Sequence, residues 1–294
     1  MRSEPIHPVE LGGTLFVPAT HPQLDAVVSG TKYPQLRSIV IDFEDGITAP
    51  ERPAATERLR SLLRALKPVS LLRFLRPDTP DTLKQMLAME GIGTIDGFVL
   101  PKFGLENADA WLTPLYGNAY AFMPSVEGID LFSQERLNEL AEELLPYRER
   151  IPTVRFGLED MLRQLGIARD CATPLYELVV PSHVIATLIT AFKPLGFNVS
   201  GGVYKCFHDT EGLETELGEE LRQGLLGKTI IHPSQIAAVE RAYRVTAAEK
   251  ARAEAILRAS TNVSAHHGMM LEKPTQQPWA ETILRRAALY GVKP

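Results

Sequence analysis

The sequence predicts a (β/α)8 barrel of the TIM type with a C-terminal helical arm. Three observations carry that prediction. Short apolar runs ending in Pro, Gly or an acidic residue recur along the 294 residues. Stretches with helical periodicity separate them, the alternation that parallel β/α units require. The length also suits one barrel of about 250 residues with an extension.

Taken in order, the strand candidates are 14–17, 38–43, 70–74, 97–100, 119–123, 153–156, 198–204 and 229–231, one for each stave of a closed barrel. Between them, ERPAATERLRSLLRAL (51–66), QERLNELAEELLPYRER (134–150) and SHVIATLITAFKPLG (182–196) each carry an apolar face long enough for several helical turns. Segment 176–180 is apolar and partly β-branched, but Pro181 and Ser182 open a helix pattern, so it is assigned to the entry of that helix. The barrel is expected over 1–245 and the arm over 246–294. In the arm, a helix at 247–259 leads into the small, polar run STNVSAHHGMM, then EKPTQQPW, then a last helix at 280–289. The Gly, Ser, Asn and Pro between those helices read as a linker with turns. Such an arm is expected to pack on its own barrel or on a neighbouring subunit.

Composition narrows the function. With 45% hydrophobic and 23% charged residues, the chain has enough apolar material for a packed core. A formal charge of −5 argues against nucleic acid as a partner. No apolar run reaches the ~18 residues of a membrane span, and MRSEPIHPVELGG lacks a basic segment followed by an apolar one, so a cytoplasmic protein without membrane contact is expected. Cys171 and Cys206 form no CxxC motif and are expected to be reduced thiols, not part of a disulfide or zinc framework.

With these strands, the acids Asp42, Glu44 and Asp45, then Glu127, then Glu159 and Asp160 fall at strand C-terminal ends. In a TIM barrel those ends make one rim, where active sites sit. Glu127 and Asp160 are one β/α unit apart and are the candidate metal ligands. Two carboxylates with open positions suit Mg²⁺, a hard cation that prefers oxygen and keeps room for water and substrate. Each acid taken singly has a structural alternative: Asp45-Gly46 is a turn pair, and Glu159 and Asp160 suit a helix N-terminus. Arg73 and Arg76 sit at and just beyond the third strand and Lys102 follows the fourth, and Arg73 and Lys102 are the candidate contacts for an acidic substrate. His232, in HPSQ, reads as a structural hydrogen-bonder. The adjacent His266 and His267 point in different directions and lack a third ligand, so they are not read as a metal site.

The ordered segments TLFVPAT (14–20), VIDFEDGI (40–47), LLRF (71–74), VLPKF (99–103), PSVEG (124–128), RFGLEDM (155–161), DTEGL (209–213) and GKTIIHPSQI (227–236) resemble the citrate lyase β-subunit-like branch of the HpcH/HpaI aldolase superfamily. The resemblance implies a Mg²⁺-dependent carbon–carbon lyase acting through an enolate on a small hydroxy or oxo acid, or on its CoA or carrier thioester. It implies that Glu127 and Asp160 bind Mg²⁺, that Asp42, Glu44 and Asp45 support the metal, and that Arg73 contacts substrate oxygens. It further implies a homotrimer or hexamer, with Glu272 of GMMLEKP (268–274) as a general acid/base in the arm. Three places depart from the family pattern: Gly104 in place of an acid, VVPSH (179–183), and NVSGGVYKCFHD before DTEGL. A malyl-type thioesterase and a non-catalytic ligand-binding barrel remain as alternatives.

Overall fold

A computed structural model describes residues 4–266 and 268–293; His267, and with it the His266–His267 pair, lies outside the described residues. The chain forms two compact units, Met1–Ile236 and Ala237–Pro294. The division falls before the boundary at 245 that composition alone marks.

The first unit is the barrel. Its strands are β1 (Gly13–Pro18), β2 (Ser38–Asp42), β3 (Leu72–Arg76), β4 (Gly97–Phe103), β5 (Ala121–Val126), β6 (Arg155–Phe156), β7 (Gly201–Val203) and β8 (Lys228–Ile230). All neighbours pair in parallel in the order β6-β5-β4-β3-β2-β1-β8-β7. The ring closes through a parallel bridge between Val154 and Val199, where Val154 N donates to Asn198 O at 2.8 Å and Ser200 N donates to Val154 O at 3.0 Å. Helices follow each strand; after β6 come Leu158–Gln164 and then Val179–Phe192, which segment 176–180 enters as expected.

Alternation along each strand decides which side chains enter the barrel. Val40, Leu72, Phe74, Val99, Ala121 and Met123 form one interior cluster with Ile6 and Leu11. Residues of the opposite parity, such as Ile39, Leu75, Phe98 and Phe122, are equally buried. Burial on both faces is why these strands read as continuous apolar runs and not as alternating ones. It also hides the limits of β3. Observed β3 runs two residues further along the chain than 70–74, ending at Arg76. Leu72, Phe74 and Arg76 therefore share the interior face, and Arg73 lies on the other.

The second unit, described by itself, has its own apolar cluster of Val245, Ala253, Ile256, Leu271, Ala280 and Ile283. The expected linker is instead a hairpin, β9 (Val263–His266) paired antiparallel with β10 (Met269–Glu272), with Gly268 at a φ of +77° that suits its turn. The last helix starts earlier than expected, at Lys273, and runs to Tyr290. Pro274 lies in its first turn, where no N–H bond is lost, and Pro278 is carried inside it.

Cys171 and Cys206 are bonded to each other, which corrects the expectation of two free thiols. They lie 35 residues apart, a separation that no local motif reveals. The bond ties the loop after Leu158–Gln164 to the segment after β7. Beside it, Arg169 pairs with Glu216 at 2.5 Å, and the fully buried Lys228 pairs with Glu216 and Glu220 at 2.7 and 2.6 Å. Two segments next to the rim are thus braced. No helix among the described residues is long and apolar enough to cross a membrane.

Candidate active site

A cavity of about 410 Å³ opens at the C-terminal ends of the strands and is lined in part by Phe16, Asp42, Arg76, Glu127, Arg155 and Asp160. Glu127 is the residue after β5, on the parity of Ala121 and Met123, so its side chain enters from the interior face. It is 5% exposed, and its Oε2 is buried with no hydrogen-bond partner among the described residues. Gly157 lets it in: a Cβ there would stand 2.7 Å from Glu127 Cγ. Burial pushes the Glu127 carboxyl up to about 7; the charges of Glu44 and Asp160 add to the rise, while a Ser125 hydrogen bond and Arg76 oppose it.

Asp160 sits in the first turn of Leu158–Gln164, beside the same cavity, and pairs with Arg163 at 2.9 Å. The helix is also locked to β5, since Gln164 Nε2 donates to Glu127 O at 2.6 Å. The donor set is therefore one buried, partly orphaned carboxylate and one partly exposed carboxylate lining the same cavity. A hard divalent cation fits that set, because Mg²⁺ is typically held by one or two carboxylates with the other positions left to water and substrate. Among the described residues no group of three His, Cys, Asp or Glu forms a larger metal cage.

The acids after β2 play a different part. Asp42 accepts from Glu44 N and Gly46 N, both at 3.0 Å, and takes Arg76 as a fork, Nε at 2.6 Å and Nη2 at 2.7 Å. Its oxygens are filled, and Gly46 has no side chain because a Cβ would meet Asp42 Oδ2 at 2.6 Å. Glu44 lies 3.0 Å from Arg76 Nη1 and bonds Lys102 Nζ; burial raises its carboxyl, with Arg76 and Lys102 pulling the other way. Asp45 is exposed and stands 3.9 Å from Arg76 and 3.7 Å from Lys102. Lys102 is at the rim with a φ of +48°. Burial acts to lower its pKa, but the Glu44 bond and the charges of Glu44, Asp45 and Glu127 raise it on balance.

Arg73 is a correction. Its Nε donates to Val28 O at 2.9 Å and its Nη1 to Lys67 O at 2.9 Å, on the outer face near the start of β3. It cannot reach the rim. Arg76 takes that place, over the Phe16 ring at 5.2 Å. Sequence reasoning also passed over Arg155. This residue is 2% exposed on the barrel floor, with Nη2 donating to Thr14 Oγ1 at 2.7 Å, Nη1 to Thr229 Oγ1 at 3.0 Å, and its guanidinium over Phe16 at 5.5 Å. The available signal was an arginine inside a run otherwise expected to be a buried strand.

Other motif residues are structural. His232 caps Pro233–Gln235, its Nδ1 accepting from Ser234 N at 3.2 Å. Gly104 stands against Asp130, whose Oδ2 accepts from Leu105 N at 2.9 Å and whose Oδ1 bonds Arg136; any Cβ at 104 would clash with that carboxylate. Glu272, in the second unit, precedes Lys273–Tyr290; its N donates to Gln276 Oε1 at 3.2 Å, and its main-chain O accepts from Thr275 Oγ1 at 3.1 Å.

Known proteins share this fold. The profile of a carbon–carbon bond lyase family of the TIM-barrel fold matches residues 5–292. The citrate lyase subunit beta-like protein of Mycobacterium tuberculosis is 27% identical over 281 residues, covering 94% of this chain and 95% of its own. A (3S)-malyl-CoA thioesterase of Cereibacter sphaeroides is 26% identical over 212 residues, 68% of this chain and 66% of its own. Among solved structures, protein CitE of M. tuberculosis in complex with magnesium, acetoacetate and coenzyme A superposes with a TM-score of 0.67 at 26% identity, covering 94% of this chain and 98% of that one. With eight parallel strands, a carboxylate pair at their C-terminal rim and a family match over nearly the whole length, the chain belongs to the TIM-barrel carbon–carbon bond lyases, in their citrate lyase β-like branch.

Proposed function

We propose that the chain is a Mg²⁺-dependent lyase that breaks or forms a carbon–carbon bond in a small hydroxy or oxo acid, free or as a CoA or carrier thioester, by way of an enolate. The observation that carries this reading is the buried Glu127, whose Oε2 has no hydrogen-bond partner among the described residues and which lines the rim cavity together with Asp160. Glu127 and Asp160 would hold the cation. When bound, Mg²⁺ supplies Lewis acidity at the substrate's oxygens.

The chain's own groups do the rest. Arg155, fixed on the floor by two threonine hydroxyls, donates to the carboxylate of the oxo acid. Arg76 is held rigid by Asp42 and Glu44 and sets a positive field where enolate charge develops. In the cleavage direction the substrate hydroxyl loses its proton and becomes the oxo-acid carbonyl. The electron pair of the breaking bond passes to the acetyl-type fragment, which is then protonated at carbon. Lys102 bonds Glu44 and stands 3.7 Å from Asp45 at the entrance.

Glu272 is proposed as the acid/base for these proton steps, delivered from a neighbouring subunit of a homotrimer or hexamer. Support for it is the family resemblance of GMMLEKP. Glu272→Gln is then expected to lower kcat by about 100-fold or more with little change in KM. Unaltered kcat would remove Glu272 from the chemistry.

The relationship to a malyl-CoA thioesterase favours one second reading, hydrolysis of a malyl-type thioester at the same metal centre. Incubating the enzyme with Mg²⁺ and malyl-, citramalyl- or citryl-thioesters, and with the free hydroxy acids, separates the two by product. An acetyl-type thioester with an oxo acid supports the lyase, and free CoA with a hydroxy acid supports the hydrolase. No Mg²⁺-dependent turnover of any of them would count against both.

A further inference from the structure

A second cavity, of about 590 Å³, lies at the opposite end of the barrel, where β3, β4 and β5 begin. That is within the size range of ligand sites. Two guanidiniums line it, Arg73 and Arg150. Arg73 is 2% exposed; two of its nitrogens donate to the main-chain carbonyls of Val28 and Lys67, and its Nη2 is buried without a hydrogen-bond partner among the described residues. Arg150 donates to Tyr120 O at 3.0 Å, to Leu115 O at 3.2 Å and to Asn118 Oδ1 at 3.2 Å, and lies over the Phe122 ring at 5.2 Å. The hydrogen-bond acceptors around both guanidiniums are thus neutral oxygens. Burial lowers the pKa of each arginine, against a smaller opposing effect of the Asp96 charge on Arg73 and of Tyr147 on Arg150. A buried polar group left without a partner is costly, and a buried charge more so.

The rest of the wall limits what compensates them. Ile6, Val69, Leu71 and Ile95 supply its apolar part. Glu4, Asp96 and Glu149 also line it; Asp96 Oδ2 accepts from Arg73 N at 2.8 Å, and Glu149 pairs with Arg148 at 2.8 Å. These acids disfavour a ligand with several negative charges. We propose that this cavity binds a small monocarboxylate with a short apolar body, its carboxylate on Arg73 and Arg150 and its chain against Ile6, Val69 and Ile95. A guanidinium fork matches a carboxylate. The site is separate from the rim cavity, with which it shares no lining residue.

The test is calorimetric titration of the full chain in EDTA-containing buffer with butyrate, succinate and inorganic phosphate. Saturable butyrate binding is expected, unchanged in the rim variant Glu127→Gln and weakened about tenfold or more in Arg73→Gln and Arg150→Gln. Gly93 also lines the cavity, and a Cβ there meets nothing within 4 Å. Gly93→Leu therefore adds apolar bulk at a lining position whose Cβ meets no neighbour, and is expected to abolish binding even if Arg73→Gln does not fold. Three results would overturn the proposal: no saturable butyrate binding to the wild type, binding retained in Gly93→Leu and Arg150→Gln, or succinate or phosphate bound as tightly as butyrate.

Discussion

Arg73 and Arg76 are three residues apart on one strand, yet they belong to opposite ends and opposite faces of the barrel. Arg76 shares the interior face with Leu72 and Phe74 and is clasped by Asp42 and Glu44 at the rim. Arg73 points outward at the start of the strand and is held by main-chain carbonyls. The difference teaches that parity and strand limits, not proximity in sequence, assign an arginine to a site. At the rim a buried guanidinium is clasped by Asp42 and Glu44 and becomes a fixed element of the chemistry. At the other end it meets neutral oxygens and retains binding capacity.

The sharpest way to break this comparison is to remove each arginine in turn. Arg76→Met leaves Asp42 buried without its cation and Glu44 with Lys102 alone, so urea denaturation is expected to show a loss of about 3–5 kcal/mol. The surviving folded fraction should lose most of its kcat/KM. Arg73→Gln is expected to leave kcat/KM of the folded enzyme unaltered. If the two variants lose activity equally, the separation of rim from opposite end is wrong.

A smaller effect concerns pH. Glu127 has a folded-state pKa near 7, above the ordinary 4.5. The native metal-free chain therefore holds this proton over a range in which the unfolded chain has released it. The group's contribution to stability is most favourable below pH 4.5, declines as pH rises from 4.5 to 7, and is at its least favourable above 7. In EDTA, Glu127→Gln should flatten that decline, measured as the difference between wild-type and variant Tm across pH 5 to 8. A difference independent of pH would show that Glu127 is already ionised in the metal-free fold.

Much of this was legible in the sequence. The eight staves were visible because both faces of each strand are buried, and the rim acids were visible because they follow those runs directly. The same burial hid the ends of the strands. A continuous apolar run carries no alternation to mark where pairing stops, so β3 was placed two residues early and Arg73 was chosen over Arg76. Arg155 was missed for a related reason: its partners, Thr14 and Thr229, come from β1 and β8, and only barrel closure brings them together. The Cys171–Cys206 bond likewise depends on loops that meet in space. In the arm, Gly268 and the prolines read as breakers, whereas Gly268 serves a hairpin turn, Pro274 lies in the first turn of a long helix and Pro278 inside it.

The central claim is that Glu127 and Asp160 form a magnesium site at the rim. Direct calorimetric titration of Mg²⁺ into the wild type, Glu127→Gln and Asp160→Asn tests it most simply. One saturable site is expected in the wild type, weakened in each variant by more than the about 10- to 100-fold typical of losing an outer-shell partner. Equal Mg²⁺ affinity in the wild type and both variants would contradict the account.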